Sequence, residues 1–211
     1  MTLSSQEIRK RVENNSGANS ESGLVITPVL DWESQAKKGE CSIDVRLGQR
    51  FRLPGRTKLD GLDHLSPSHH EDVERYNEDH HIPLGDHFVL HPRQFVLGET
   101  LEWVRLPSDL SAYVVGRSSW GRDGLIVATA IGIHPNYSGI ITLELTNIGE
   151  IPIRLYPGSS IAQLFIHKVD SSTDPDPGSV ALSSFHASVA PSSGNPLGKD
   201  REVLAELNED L

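Results

Sequence analysis

The chain has a single cysteine, Cys41, in 211 residues, so it cannot form an internal disulfide, which fits a reducing compartment. No apolar run approaches the length of a bilayer span. The opening stretch MTLSSQEIRKRVENN has no apolar region of the signal-peptide kind, and the expected location is the cytoplasm. Basic residues are scarce: 19 Lys and Arg stand against 29 Asp and Glu, a formal charge of −10. No basic stripe is visible, which argues against a nucleic-acid duplex as partner. A small polyanion is not excluded, because a few arginines and backbone N–H groups can converge on it locally.

Two missing motifs narrow the chemistry. The Gly-Lys-Ser/Thr ending of a Walker loop is absent. A zinc site of the His-x-Glu and Pro-Cys-x-x-Cys kind needs more cysteines than the chain has. His64, His69, His70, His80, His81, His87 and His91 crowd one polar stretch, alternating with acids. They read as a solvated loop rather than a zinc cluster.

The residues present describe one β-rich domain with a tail. SSQEIRKRVENN forms a short helix with Ser4 or Ser5 as cap and Glu7 in its first turn. CSIDVRLGQRFRL alternates, with Ile43, Val45 and Leu47 on one face and Asp44 and Arg46 on a polar one. Residues 54–87 form a long polar insertion with a helical turn around HEDVERYN. Short strand candidates then follow between Pro and Gly: HFVLHP, QFVLGETLEWVRL, SAYVVG, GLIVATAIGI, GIITLELTN, PIRLYPG and SIAQLFIHKV. This spacing predicts an all-β sandwich, jelly roll or barrel over residues 1–170. Residues 171–211, rich in Ser, Pro, Gly and Asp, read as a mobile C-terminal tail that closes in a short helix, REVLAELNEDL.

Two stretches carry candidate chemistry. GRSSWGRDG, residues 116–124, places Arg117, Ser118, Ser119 and Arg122 among glycines. It is either an ordinary turn or an anion cradle, its guanidinium forks matched to phosphate oxygens. In GIITLELTN, Ile141, Leu143 and Leu145 form one face and Thr142, Glu144 and Thr146 the other. A carboxylate in the middle of a buried strand is costly unless paired or functional, so Glu144 is either an ion-pair member on a solvated face or a general base. Trp120 reads as a packing residue.

The segments CSIDVRLG, FVLHPRQFVLGETLEWVRLP, GRSSWGRDGL, HPNYSGIITLELTN and YPGSSIAQLFI occur in an order that resembles the deoxycytidine triphosphate deaminases. That family shares a superfamily with the trimeric deoxyuridine triphosphatases, and the resemblance spans roughly residues 24–169. It implies a distorted jelly roll of the dUTPase-like type, a homotrimer with active sites between subunits, and a pyrimidine deoxynucleoside triphosphate as ligand. Arg117, Ser118, Ser119 and Arg122 would hold the triphosphate, with Mg2+ carried by the phosphates and no zinc. Glu144 would be the general base, with Ser118 and Arg122 beside it in the catalytic set. Ala128, Ala130, His134, Thr142 and Leu143 would line base and sugar, and Gln163 would contact the nucleotide.

The chain also departs from the family. GIHPNYSG has His134 and Asn136 where the triphosphatase branch keeps aspartates, and Gly132 where deaminases have an arginine. The implied reaction is hydrolytic deamination of dCTP to dUTP and ammonia. The alternatives are a dUTP pyrophosphatase, a bifunctional deaminase–diphosphatase, and a nucleotide-binding regulatory trimer without turnover.

Overall fold

The computed structural model describes residues 1–15, 23–55, 61–63, 66, 69–129, 132–170 and 190–191. Among them the order is α1 (Ser5–Asn14), β1 (Val25–Thr27), α2 (Trp32–Gln35), β2 (Ile43–Arg46), β3 (Arg50–Pro54), α3 (His69–Tyr76), β4 (Asn77–His81), β5 (Phe88–Leu90), β6 (Phe95–Arg105) and β7 (Leu110–Gly116). Then come α4 (Ser118–Arg122), β8 (Leu125–Val127), β9 (Gly132–Ile133), β10 (Ser138–Asn147), β11 (Ile153–Leu155) and β12 (Ser160–Lys168). The chain is all-β apart from short helices, as expected, and its sheets are open rather than closed into a barrel.

One sheet runs β4-β3-β6-β10-β8, with β1 also paired to β6. A second runs β2-β12-β7-β9, and β11 pairs with β5. Side chains from both larger sheets meet in one buried cluster that includes Ile43, Val45, Leu143, Leu145, Leu164 and Ile166. Alternation explains the assignment: from Ile141 in β10 and from Ala162 in β12, buried residues alternate with partly exposed ones. Helix α1 starts where the sequence predicts. The Ser4 hydroxyl accepts from the Glu7 N–H, and Arg11 in the last turn reaches Asp109 at 2.9 Å.

Four expectations change. GLIVATAIGI is not one strand but is divided between β8 and β9, which belong to different sheets. CSIDVRLGQRFRL is not one strand. It breaks at Gly48 into β2 and β3, which enter different sheets. Asp44 and Arg46 do not lie on a polar face. Every residue of β2 is buried, because neighbouring elements cover both of its faces. The insertion also contributes β4, which pairs along β3 from Arg50↔His81 to Pro54↔Asn77. Arg52 anchors this pairing on Asp79 and Glu74, each at 2.8 Å. The tail apart from residues 190–191, its closing helix included, the side chains of His69 and His70, and His64 lie outside the described residues.

The turn after α4 has a backbone requirement. Gly124 has φ +92°, and a Cβ there would lie 2.8 Å from the backbone nitrogen of Gly149. Neither the backbone angle nor the neighbouring main chain can yield cheaply. Gly124→Ala is therefore expected to lower stability by about 1–3 kcal/mol, measured as the urea unfolding midpoint at fixed protein concentration.

Candidate functional site

Glu144 sits near the middle of β10, on the half-buried face it shares with Thr142 and Thr146. Its backbone is held from the neighbouring segment. The Glu144 N–H donates to Thr129 Oγ1 at 3.0 Å, and its carbonyl accepts from the Ala128 N–H at 2.8 Å. Across the sheet it pairs with Leu97, and Thr142 pairs with Glu99. The carboxylate itself has no hydrogen-bond or ion-pair partner among the described residues. A strand interior thus presents an acid with fixed backbone and free oxygens.

The Arg-Ser-Ser stretch borders a cavity of about 500 Å³. The short helix α4 supplies Ser119 and Trp120, with Arg117 and Asp123 just outside its ends. Asp44, Ser160, Ser34 and Lys37 complete its lining. Trp120 does more than pack, since its indole N–H donates to the Ser160 carbonyl at 2.8 Å.

Asp44 is the hub of this cavity. Its carboxylate ion-pairs with the Arg117 guanidinium and accepts from Gln163 Nε2 at 3.1 Å. The register explains the meeting: Asp44 pairs with Gln163, and Gln163 pairs with Val115, in one row across the second sheet. Beneath it lies a buried polar group. Glu102, fully buried, accepts from the Arg46 N–H at 2.7 Å, from Arg46 Nε at 2.8 Å and from Gln35 Nε2 at 3.1 Å. Burial pushes the Glu102 carboxyl up from the ordinary carboxylate range, and its bonds to Arg46 hold it back. Gln35 also donates to the Asp44 carbonyl and accepts from the Leu30 N–H, tying α2 to β2.

The structure brings some candidates together and leaves others apart. Arg117 and Gln163 bind Asp44 and Ser119 lines the same cavity, whereas Ser118 and Arg122, exposed on α4 like Ser119, do not line it. Glu144 does not line the cavity of its own chain, and it stands in the other sheet. Leu143, expected beside base and sugar, is completely buried in the core of the chain. Ala128 is exposed, and Ala130 lies outside the described residues.

His134 is exposed, and its carbonyl accepts from the Tyr137 N–H at 3.3 Å. Asn136 in the same turn has φ +65°, a conformation asparagine tolerates better than most residues. Burial lifts the Tyr137 phenol to about 12, and its hydroxyl donates to the Ile140 carbonyl, closing the turn into β10. Sequence reasoning missed Asp44, Thr129 and Lys37. Only Asp44 carried a signal, an acid inside a strand of β-branched residues.

The sequence model of the dCTP deaminase-like family matches residues 2–169. A dCTP deaminase from Natronomonas pharaonis is 36% identical over 203 residues, covering 96% of this chain and 97% of that protein. A dUMP-forming dCTP deaminase from Dictyoglomus thermophilum is 39% identical over 192 residues, covering 90% and 92%. Among solved structures, the 2'-deoxycytidine 5'-triphosphate deaminase of Agrobacterium tumefaciens superposes with a TM-score of 0.57 at 21% identity, covering 78% of this chain and 46% of that one. The structural likeness speaks for the fold.

Proposed function

The chain belongs to the dCTP deaminase-like family, and on that premise we propose that it hydrolyses dCTP to dUTP and ammonia, with Glu144 as the general base. One observation supports the role of Glu144 above the rest. A carboxylate is held on a strand by backbone bonds at both its N–H and its carbonyl, with its own oxygens free of partners among the described residues.

In the proposed reaction Glu144 takes a proton from water, and the hydroxide adds to C4 of cytosine. The proton passes from the Glu144 carboxyl to N3. The proton of the new C4 hydroxyl then moves through the same carboxylate to the amino group, the C4–N bond breaks, and ammonia leaves. Arg117, Ser118, Ser119 and Arg122 hold the triphosphate by charge-assisted hydrogen bonds. Magnesium belongs to the nucleotide in this scheme. The phosphates themselves would bind the ion. Its contribution is to offset phosphate charge.

The site is completed between protomers of a homotrimer in this reading. Glu144 is not among the residues that line the cavity in one chain, and in this reading a neighbouring protomer brings the two together. Phe95 and Ile126, both exposed, flank Thr146 on the face that carries Glu144 and offer an apolar seat for that neighbour.

A second reading ends in dUMP and pyrophosphate, and the naming of the Dictyoglomus relative favours it. Against it stands HPNYSG, which offers no carboxylate to direct water at phosphorus. Incubation with dCTP and magnesium, with products identified by mass, separates the cases. dUTP with ammonia supports the proposal, dUMP with pyrophosphate supports the bifunctional reading, and bound but unchanged dCTP supports a regulatory trimer.

A further inference from the structure

We propose that Lys37, on the turn that follows α2, is a phosphate-binding residue of the cavity, the cation that a triphosphate meets there. This rests on the triphosphate reading of that cavity. Two cationic and two anionic side chains line the cavity: Lys37 and Arg117, Asp44 and Asp123. Arg117 is engaged by buried Asp44, so its charge is offset within the chain. The Lys37 ammonium has no hydrogen-bond or ion-pair partner among the described residues. Without Lys37 the lining would carry a net negative charge, a poor receptor for a polyanion.

The backbone around Lys37 is built to hold it in place. The Lys37 carbonyl accepts from the Ser5 hydroxyl at 2.7 Å and from the Glu40 N–H at 3.1 Å. Ser5, fully buried at the start of α1, also donates its N–H to the Glu40 carbonyl at 2.9 Å. On the other side, Gln35 is buried and fastened to Glu102 and to the Asp44 carbonyl. The turn is therefore pinned to α1 on one side and, through Gln35, to β2 and β6 on the other. The lysine stem projects from it as a mobile point charge, suited to a terminal phosphate that needs no planar recognition. Ser119, which also lines the cavity, adds a hydroxyl.

The test uses the full chain and four proteins: parent, Lys37→Ala, Lys37→Arg and Lys38→Ala. Lys38 is exposed and does not line the cavity, so it controls for bulk charge. Binding of magnesium tripolyphosphate and of dCTP is measured by calorimetry, and dCTP turnover alongside. Lys37→Ala is expected to raise Kd for tripolyphosphate and KM for dCTP about tenfold, as loss of one charge-assisted bond should, with kcat unchanged. Lys37→Arg should recover most of the affinity, and Lys38→Ala should behave as the parent.

Tripolyphosphate binding within twofold of the parent in Lys37→Ala overturns the assignment, as does a parent that binds no tripolyphosphate. Normal dCTP turnover with no effect at Lys37 sinks this inference alone. Lys37-dependent tripolyphosphate binding without any deamination sinks the proposed activity and leaves the phosphate site standing.

Discussion

Glu144→Gln is expected to bind dCTP within a few-fold of the parent and to release ammonia about 10²–10⁴-fold more slowly. Glutamine keeps the size and hydrogen-bonding shape of the side chain but cannot take a proton from water. Folding should be untouched, because the two bonds that fix this position, to Thr129 and from Ala128, involve the backbone. The carboxylate has no partner among the described residues to lose. Equilibrium dialysis with dCTP and a coupled ammonia assay read the two quantities separately. Parent-like turnover in this variant removes Glu144 from the chemistry. Lost binding together with lost turnover makes it a nucleotide ligand instead.

The second large effect concerns stability. Arg46→Met is expected to cost about 3–5 kcal/mol near neutral pH, because Glu102 would keep its buried charge without its partner. Arg46 and Glu102 are only 8% and 0% exposed at their side chains, so water cannot replace the lost bonds. The pH dependence has a definite sign. A carboxyl raised by burial binds its proton more tightly in the folded chain. Its contribution to stability is present below the unfolded value and is lost as pH climbs through the folded one. Removing Arg46 removes the bonds that hold Glu102 down, so the variant's deficit should be greater at neutral pH than near the ordinary glutamate value. Urea unfolding at both pH values and at one protein concentration checks this. The double variant Arg46→Met, Glu102→Leu should recover part of the loss. A deficit that shrinks toward neutral pH would contradict the account.

Most strands from β5 to β12 were legible because their patterns are local, the exception being GLIVATAIGI, whose single apolar run is shared between β8 and β9 of different sheets. Alternation in GIITLELTN marks which side chains turn inward, and Pro and Gly mark where strands stop. The N-terminal helix was legible for the same reason, through Ser4 and Glu7. The break at Gly48 was not, because Leu47 and Phe51 keep the apolar pattern running while the chain changes sheets. Nor was the burial of Asp44 and Arg46. Alternation reports one covered face, and it cannot report that a second layer covers the other.

For the site, the sequence by itself determined the chemical inventory: a forked pair of arginines with two serines, and one acid placed inside an apolar strand. Each lies within a few residues of its partners, so composition and spacing express it. Tertiary structure alone decided that Asp44 captures Arg117 and Gln163, that Thr129 braces Glu144, and that Lys37 faces the cavity. Asp44 lies 73 residues from Arg117 and 119 from Gln163 in the chain. Sheet registry sets such meetings, and registry is a property of how strands pair, not of any one strand's sequence.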